Sequence, residues 1–344
     1  MDDRKSRRFS GGSGEQRARK AGRRDIRLKK LVVFGGGTGL SCLLSGLKLF
    51  PVDVTTVITV SDNGSSTGVL KKELDIPAVG DVGKVLISMA NVDEDFTSLL
   101  RYRFSRDGSL YNHPVRNIML AALIDLKGSL TEATNYMCRL LNVKGTVLPL
   151  TEEKVELVGE RADHGGAFFG QVEVSQNIRS ISRLSYDRDV HVSKEVVSRI
   201  LDSDLIVFSP GSLYTSILPH LIADEVVEAI RQSHAPIMYV CNLVTQPGET
   251  DHYHVSDHLR VIDQYLRGRR VDIVLANNAD ISREVMDVYL TQEDKTVVDL
   301  DREAVTALGA EIIEDANFCI DEAGSIRHDA LKTAFLIFSY LMGK

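Results

Sequence analysis

Four glycines and a threonine follow a short apolar segment near the start of the chain: Gly35, Gly36, Gly37, Thr38 and Gly39. The apolar segment, residues 31–34, predicts a buried parallel strand, and a leucine-rich helix is expected after the glycines. Backbone N–H groups in such a turn are open to an anion, and the start of the helix adds its positive dipole. A tight turn without a ligand is the alternative, but so dense a glycine cluster favours a phosphate-binding loop.

The spacing of this loop excludes two common nucleotide-binding motifs. The dinucleotide fingerprint that begins at Gly35 would need glycine at position 40, where the chain has Leu40. A second glycine segment, GDVGK at residues 80–84, has two residues between its glycines, whereas the P-loop needs four. The sequence therefore predicts a phosphate-containing ligand that is neither NAD nor held by a P-loop.

A serine-rich loop at residues 61–68 follows the second predicted strand, residues 54–60. The carboxyl ends of neighbouring parallel strands meet at one edge of the sheet, which is where open α/β folds bind ligands. Asp62 suits a ribose hydroxyl or Mg²⁺, and small hydroxyl side chains suit phosphate oxygens. An Asx-type turn that caps the next element is the alternative. The candidate ligand-binding residues of this loop are Asp62, Asn63, Ser65, Ser66 and Thr67.

Two further strands are followed by polar residues at the same predicted edge. The amide of Gly211 and the hydroxyls of Ser212 and Thr215 suit a diphosphate approached from the other side. Ser212 or Thr215 could equally cap the next helix, and one turn can do both. Asn242 and Thr245 follow the next strand and suit the hydrogen-bonding edges of a base or a sugar.

The order of the elements predicts the fold that positions these residues. Short apolar strands alternate with helix-length segments, which is typical of an α/β protein with a Rossmann-like, doubly wound, mostly parallel sheet and helices on both faces. Residues 145–185 show β-like alternation and predict a small excursion from that sheet. The predicted strands are residues 31–34, 54–60, 205–208, 237–241 and 271–275, and the clearest helices are residues 117–127 and 129–141.

Charge divides the chain into a basic tail and an acidic body. The first 30 residues hold twelve Lys/Arg and four Asp/Glu, although the whole chain has a net charge of −7. Residues 1–28 predict a disordered basic tail, with a docking contact as the alternative, and residues 29–344 predict a single domain. An acidic body disfavours nucleic acid, and the chain lacks a long apolar stretch, so we expect a cytoplasmic protein without a membrane span. The four dispersed cysteines predict neither a zinc site nor a disulfide.

Several segments together resemble one known family. They are the glycine loop to Leu40, residues 62–68, Gly80-Asp81, FSPGSLYTS at residues 208–216, VCNLVTQPGET at residues 240–250 and IRHD at residues 326–329. The residues of these segments and their order along the chain resemble those of the bacterial gluconeogenesis factor family. That family is related to the 2-phospho-L-lactate transferases of coenzyme biosynthesis.

The resemblance implies a nucleotide-sugar-binding domain and a regulatory role. Its expected ligands are UDP-sugars, UDP-N-acetylglucosamine or UDP-glucose, and its expected role is in cell shape and wall synthesis during growth on gluconeogenic carbon sources. Arg327 is implied to reach the sugar-nucleotide, with a salt bridge to a carboxylate as the alternative. Cell-wall synthesis proteins and a second copy of the chain are the expected partners, and no cofactor other than Mg²⁺ is implied.

The related transferases suggest a second hypothesis, in which Asp62 is catalytic and holds Mg²⁺ during phosphoryl or nucleotidyl transfer. The chain departs from the family pattern at three places that bear on it. Asp62-Asn63 replaces paired aspartates, and Val82, Gly83 and Lys84 replace a basic residue and an asparagine. The family's Gly-His-x-x-Gly-Asn becomes NHPVRN at residues 112–117. These departures favour a ligand-binding regulator over a metal-assisted transferase.

Overall fold

The computed structural model describes residues 27–320 and 324–343, so the predicted tail of residues 1–28 lies almost wholly outside the described residues. The strands are β1 (Lys29–Gly35), β2 (Val52–Ile58), β3 (Thr146–Pro149), β4 (Leu157–Arg161), β5 (Ala167–Phe169), β6 (Ile181–Tyr186), β7 (Leu205–Phe208), β8 (Ile237–Val240), β9 (Ile273–Asn277), β10 (Glu311–Asp315), β11 (Phe318–Ile320) and β12 (Ile326–His328).

The helices alternate with these strands over most of the chain. They are α1 (Gly37–Leu47), α2 (Ser65–Leu74), α3 (Gly80–Met89), α4 (Glu94–Arg101), α5 (Val115–Lys127), α6 (Leu130–Leu140), α7 (Gln171–Gln176), α8 (Lys194–Leu201), α9 (Leu218–Leu221), α10 (Asp224–Gln232), α11 (Val255–Tyr265), α12 (Arg283–Glu293), α13 (Arg302–Ala307) and α14 (Ala330–Gly343). No helix of the described ranges is long and apolar enough to cross a membrane.

Seven parallel strands form the main sheet in the order β10-β9-β8-β7-β1-β2-β3. From β1 the chain adds β2 and then β3 on one side, and it later returns to place β7 against the other side of β1. The strand order therefore reverses between β1 and β7. In open α/β sheets such a reversal separates the loops that leave the two strands and opens a crevice at their carboxyl ends.

Helices cover both faces of this sheet, as the sequence predicted. Successive side chains of a strand point to opposite faces, and β1 shows this directly. Leu31 and Val33 pack in one core cluster with α1, α3 and α14, whereas Val32 and Phe34 pack in another with α8, α10 and α11. The fold is thus Rossmann-like α/β.

Two local predictions were only partly correct. Residues 145–185 do not form one excursion, because Thr146–Pro149 is β3, the edge strand of the main sheet. Strands β4, β5 and β6 form a separate three-stranded antiparallel sheet. The helix that Ser212 or Thr215 was expected to cap begins as a π-helical turn, Leu213–Ile217, with Ser212 as its N-cap, and α9 follows it. The strands within residues 145–185 have the same alternating pattern whichever sheet they join, so the pattern could not assign each strand to its sheet.

Helix α1, which follows the glycine loop, is fixed by close packing against α14. Gly46 is buried in α1, and a Cβ atom at this position would overlap the backbone carbonyl of Ala330 and lie 3.0 Å from the Cβ of Ala334. Only glycine lets the two helix backbones approach so closely. The position of α1, and with it the glycine loop, therefore depends on this contact.

We predict that Gly46→Ala destabilises the protein. Alanine is normally better than glycine within a helix by about 0.5–1 kcal/mol, but overlap with a backbone carbonyl costs about 1–3 kcal/mol. Urea denaturation should show a lower free energy of unfolding. The control is Gly343→Ala at the end of α14, where a Cβ meets no atom within 4 Å, and its stability should not fall. Equal stability of both variants would contradict the close-packing account.

Candidate functional site

The reversal of strand order between β1 and β7 opens a cavity of about 370 Å³ at the carboxyl edge of the sheet. We call this cavity the crevice. One wall consists of the loop and first turn that follow β1, and the facing wall of the turn that follows β7. These walls include Gly36, Gly37, Thr38, Gly39, Gly211 and Ser212. The two glycine-containing turns that the sequence singled out therefore face one another.

The N-terminus of α1 is open to the crevice. Gly36 is the N-cap residue, and among the described residues no side chain caps the first turn of the helix. The first four N–H groups of a helix have no partner within it, so these donors remain available to an anion. Gly37 has φ +66°, and a Cβ there would meet no atom within 4 Å. This backbone conformation favours glycine and leaves space for a ligand next to the amides.

Asn242 holds the opposite turn in place. Its side-chain Oδ1 accepts a hydrogen bond from the Gly211 N–H at 2.9 Å, and its Nδ2 donates to the Gly211 carbonyl at 2.8 Å. Asn242 also lines the crevice. Its amide is therefore engaged with the backbone of the turn, and its visible role is to orient Gly211.

A buried carboxylate, which the sequence analysis did not single out, supports this turn from behind. The Ser212 hydroxyl lies 2.8 Å from Glu249 Oε1 and accepts from the Thr215 N–H at 3.1 Å, while the Tyr214 N–H donates to Glu249 Oε1 at 3.1 Å. Burial raises the pKa of Glu249 to about 7, although these donors oppose the shift. Glu249 thus fixes the turn after β7 through its contacts with the Ser212 hydroxyl and the Tyr214 amide.

Two cations from distant parts of the chain complete the crevice. Arg327, on β12, lines it, and Lys295, which follows α12, lines it as well, while contact of Arg327 with a sugar-nucleotide stays a prediction. The Thr245 hydroxyl accepts a hydrogen bond from the Thr296 N–H at 2.9 Å, which holds the Lys295 segment beside the crevice. Sequence reasoning missed Lys295 because it lies in no motif and reaches the site only through the fold.

The serine-rich loop lies beside the crevice and lines a second cavity of about 220 Å³. We call this space the second cavity. Its walls include Asp62, Ser65, Ser66, Thr67, Lys84 and Arg116. The single binding edge predicted from the sequence is therefore divided in two. Asp81 lies between the cavities, since its Oδ2 is 3.1 Å from where a Cβ of Gly36 would be.

Three of the predicted site residues line neither cavity. Gly35 ends β1, with its N–H 3.2 Å from Nε2 of the buried His220. Thr215 is buried, with its hydroxyl 2.6 Å from the Ser212 hydroxyl. Asn63 is turned away, because its amide oxygen accepts from the Val172 N–H at 3.1 Å and its amide nitrogen donates to Glu156 at 3.3 Å. The contacts of these three residues stabilise the loops around the two cavities.

The predicted metal ligand, Asp62, is one of two neighbouring carboxylates. Burial raises the pKa of Asp62, and the nearby Asp81 carboxylate raises it further. Asp81 accepts a hydrogen bond from the Lys84 ammonium at 2.8 Å. Magnesium is commonly held by one or two carboxylates together with phosphate oxygens of a substrate, so this pair fits Mg²⁺ as such a partial site. The described residues include no group of three or more metal-ligating side chains.

Fold and site together define a Rossmann-like α/β protein with a polar crevice at its topological switch point. A family model described as 2-phospho-L-lactate transferase CofD matches residues 31–318. The gluconeogenesis factor of Halalkalibacterium halodurans is 39% identical over 310 residues, which cover 90% of this chain and 95% of that protein. The gluconeogenesis factor of Bacillus subtilis strain 168 is 38% identical over 313 residues, 91% of this chain and 98% of that protein.

A solved structure agrees with these sequence relatives. The crystal structure of a protein from Bacillus halodurans has a TM-score of 0.86 and 38% sequence identity to this chain, and the match covers 91% of this chain and 100% of that one. The chain therefore belongs to the CofD family and, within it, to the gluconeogenesis factors.

The raised pKa of Glu249 predicts a defined pH dependence of stability. The folded state keeps a proton on Glu249 up to about pH 7, whereas an unfolded chain releases it near the usual pKa of 4.5. The free energy of unfolding should therefore fall as pH rises between these two values and stay level above them. Glu249→Gln mimics the protonated form and does not titrate. As pH rises from about 4 to about 8, the unfolding free energy of the variant should therefore rise relative to that of the wild type by on the order of 1–3 kcal/mol.

Urea denaturation across this pH range measures the effect, with the exposed Glu303→Gln as the matched control. The control should keep the pH profile of the wild type. An unchanged profile for Glu249→Gln would mean that this carboxyl is ionised in the folded protein at low pH.

Proposed function

We propose that the protein binds a UDP-sugar, UDP-N-acetylglucosamine or UDP-glucose, in the crevice and acts as a cytoplasmic regulator. Its bound state would report the supply of wall precursors during growth on gluconeogenic carbon sources, and thereby influence cell shape and wall synthesis. The relatives that are named gluconeogenesis factors support the physiological part of this proposal. The chemistry of the crevice supports the ligand.

The observation that carries the proposal is the pairing of open amides with cations across the crevice. A diphosphate is a strong acceptor with two negative charges or more, and the uncapped first turn of α1 presents several N–H donors to it. Arg327 and Lys295 also line the crevice, and the Lys295 ammonium is paired with Glu293. In a chain with a net charge of −7, this local concentration of donors and cations selects an anionic ligand.

Binding would also join separate segments of the chain. The glycine loop follows β1, the Gly211 turn follows β7, and Arg327 lies on β12 near the C-terminus. A ligand that contacts all three stabilises their common arrangement by mass action, because it binds the folded state and not the unfolded chain. Ligand binding would therefore order a surface of the protein. A partner or a second copy of the chain could recognise this surface only when the ligand is present, as a regulator requires.

A phosphoryl or nucleotidyl transferase is the second candidate, and the Asp62–Asp81 pair is the observation that favours it. Both carboxylates would hold Mg²⁺, which would neutralise charge on the phosphates of a bound donor. Lys84 hydrogen-bonds to Asp81, and the side chain next to Asp62 is the outward-turned Asn63. These features make the regulator the preferred function.

We predict that Gly37→Val abolishes UDP-N-acetylglucosamine binding while the protein stays folded. A β-branched side chain disfavours the φ of +66° and projects into the space beside the amides. Two or three charge-assisted contacts, each worth about 1.5–3 kcal/mol, would be lost, so the Kd should rise at least a hundredfold, on the order of 3 kcal/mol. Isothermal titration calorimetry measures it.

Gly128→Val is the matched control for this experiment. Gly128 also has a positive φ of +85° and open space around its Cβ position, but it ends α5 and lines neither cavity. The Gly128→Val variant should have similar backbone strain and keep its affinity for UDP-N-acetylglucosamine. Normal binding by a folded Gly37→Val variant would place the ligand elsewhere.

The two candidate functions differ in turnover. Incubation with Mg²⁺, UDP-sugar or other nucleotide-activated donors and candidate acceptor alcohols, followed by mass spectrometry, should show unchanged donor under the regulator proposal. Asp62→Ala should then keep UDP-sugar affinity within about threefold, because Asp62 lines only the second cavity. A transfer product that depends on Mg²⁺ and disappears in Asp62→Ala would establish the transferase instead.

A further inference from the structure

The second cavity contains a buried cation that the crevice does not use. Arg116, near the start of α5, is 7% exposed and lines this cavity together with Lys84 and Arg103. Its Nε atom is buried and has no hydrogen-bond partner among the described residues. Buried guanidinium groups are normally paired, since an unpaired charge away from water is strongly unfavourable. The arrangement calls for an anion.

The surrounding charges leave that need unmet. Burial, together with the nearby cations of Arg103 and Arg101, lowers the pKa of Arg116 to about 10. Asp81 is the acidic group that offsets this effect, but its Oδ1 already accepts from Lys84 at 2.8 Å. The lining of the cavity carries three cationic side chains, Arg116, Arg103 and Lys84, against one carboxylate, Asp62.

The aliphatic part of the Arg116 side chain packs against a glycine of the neighbouring helix, α3. Gly83, in α3, lies directly against it, and a Cβ at Gly83 would be 3.1 Å from Arg116 Cδ and 3.4 Å from Arg116 Nε. A larger residue at position 83 would push the side chain aside. Packing thus orients a charged group at the wall of the cavity, which is how binding sites are preorganised.

The start of α2, which lines the same cavity, offers donors of the kind that phosphate accepts. Helix α2 begins at Ser65 after Gly64, and no side chain caps its first turn. The Ser65 hydroxyl lines the same space, and so does the Thr67 hydroxyl, which hydrogen-bonds to Asp62. Uncapped amides, the Ser65 hydroxyl and a fixed guanidinium line one small volume, and together they match a tetrahedral oxyanion with several acceptor atoms.

We propose that the second cavity binds the phosphate group of a second small molecule, with Arg116 as its central cation. This ligand would lie beside the UDP-sugar, separated from it by Asp81 and Lys84. The inference does not depend on what the crevice binds. It assigns the protein two adjacent anion sites, so a phosphorylated metabolite could be read together with the nucleotide-sugar.

The test uses inorganic phosphate as the probe on the full chain, at constant ionic strength. Phosphate should raise the melting temperature of the wild type in a saturable way. Arg116→Met keeps the stem against Gly83 but removes the charge, and it should weaken the apparent phosphate affinity at least about tenfold. Without phosphate, this variant should melt at a higher temperature than the wild type, because an unpaired buried charge is gone.

Two further variants separate this site from the crevice. Arg231→Met removes an exposed arginine of α10 and should leave the phosphate response unchanged. Gly37→Val, which disables the crevice, should keep the phosphate response and lose UDP-N-acetylglucosamine binding, whereas Arg116→Met should do the reverse. The proposal is overturned if phosphate does not stabilise the wild type, if Arg116→Met responds like the wild type, or if Gly37→Val alone removes the response.

Discussion

The position of β7 against β1 is the constraint on which the site depends. Because β2 and β3 extend the sheet in one direction and β7 to β10 in the other, the loops that leave β1 and β7 diverge instead of packing together. The crevice follows from this topology, and its walls are then fixed by local contacts. Gly46 lets α1 pack on α14, Asn242 holds the Gly211 turn, and Glu249 supports Ser212.

Electrostatics gives the two cavities their character. The chain is acidic overall, yet Arg327 and Lys295 line the crevice, and Arg116 and Lys84 line the second cavity. Three helices, α1, α2 and α3, begin at this edge without a side-chain cap. Amides left open in this way cost stability unless water or a ligand satisfies them, and the two proposed anion sites would use those of α1 and α2.

The sequence predicted the sheet, both helix layers and the two glycine turns, because apolar strands and glycine clusters are local signals. It could not predict that Asp62 and Ser65 would line a cavity of their own, since that depends on where α3 places Asp81. Glu249, Lys295 and Arg116 were missed for the same reason: each is an ordinary charged residue in the sequence. Arg116 belongs to the NHPVRN segment that departs from the family pattern, and Gly83, against which it packs, belongs to another such departure.

The central claim is that the crevice between the β1 and β7 turns holds the diphosphate of a UDP-sugar. A crystal structure of the full chain with UDP-N-acetylglucosamine tests it most directly. The account predicts diphosphate oxygens within hydrogen-bond distance of the amides in the first turn of α1, with Arg327 on the same ligand. A nucleotide-sugar bound in the second cavity, or with its diphosphate away from that turn, would contradict it.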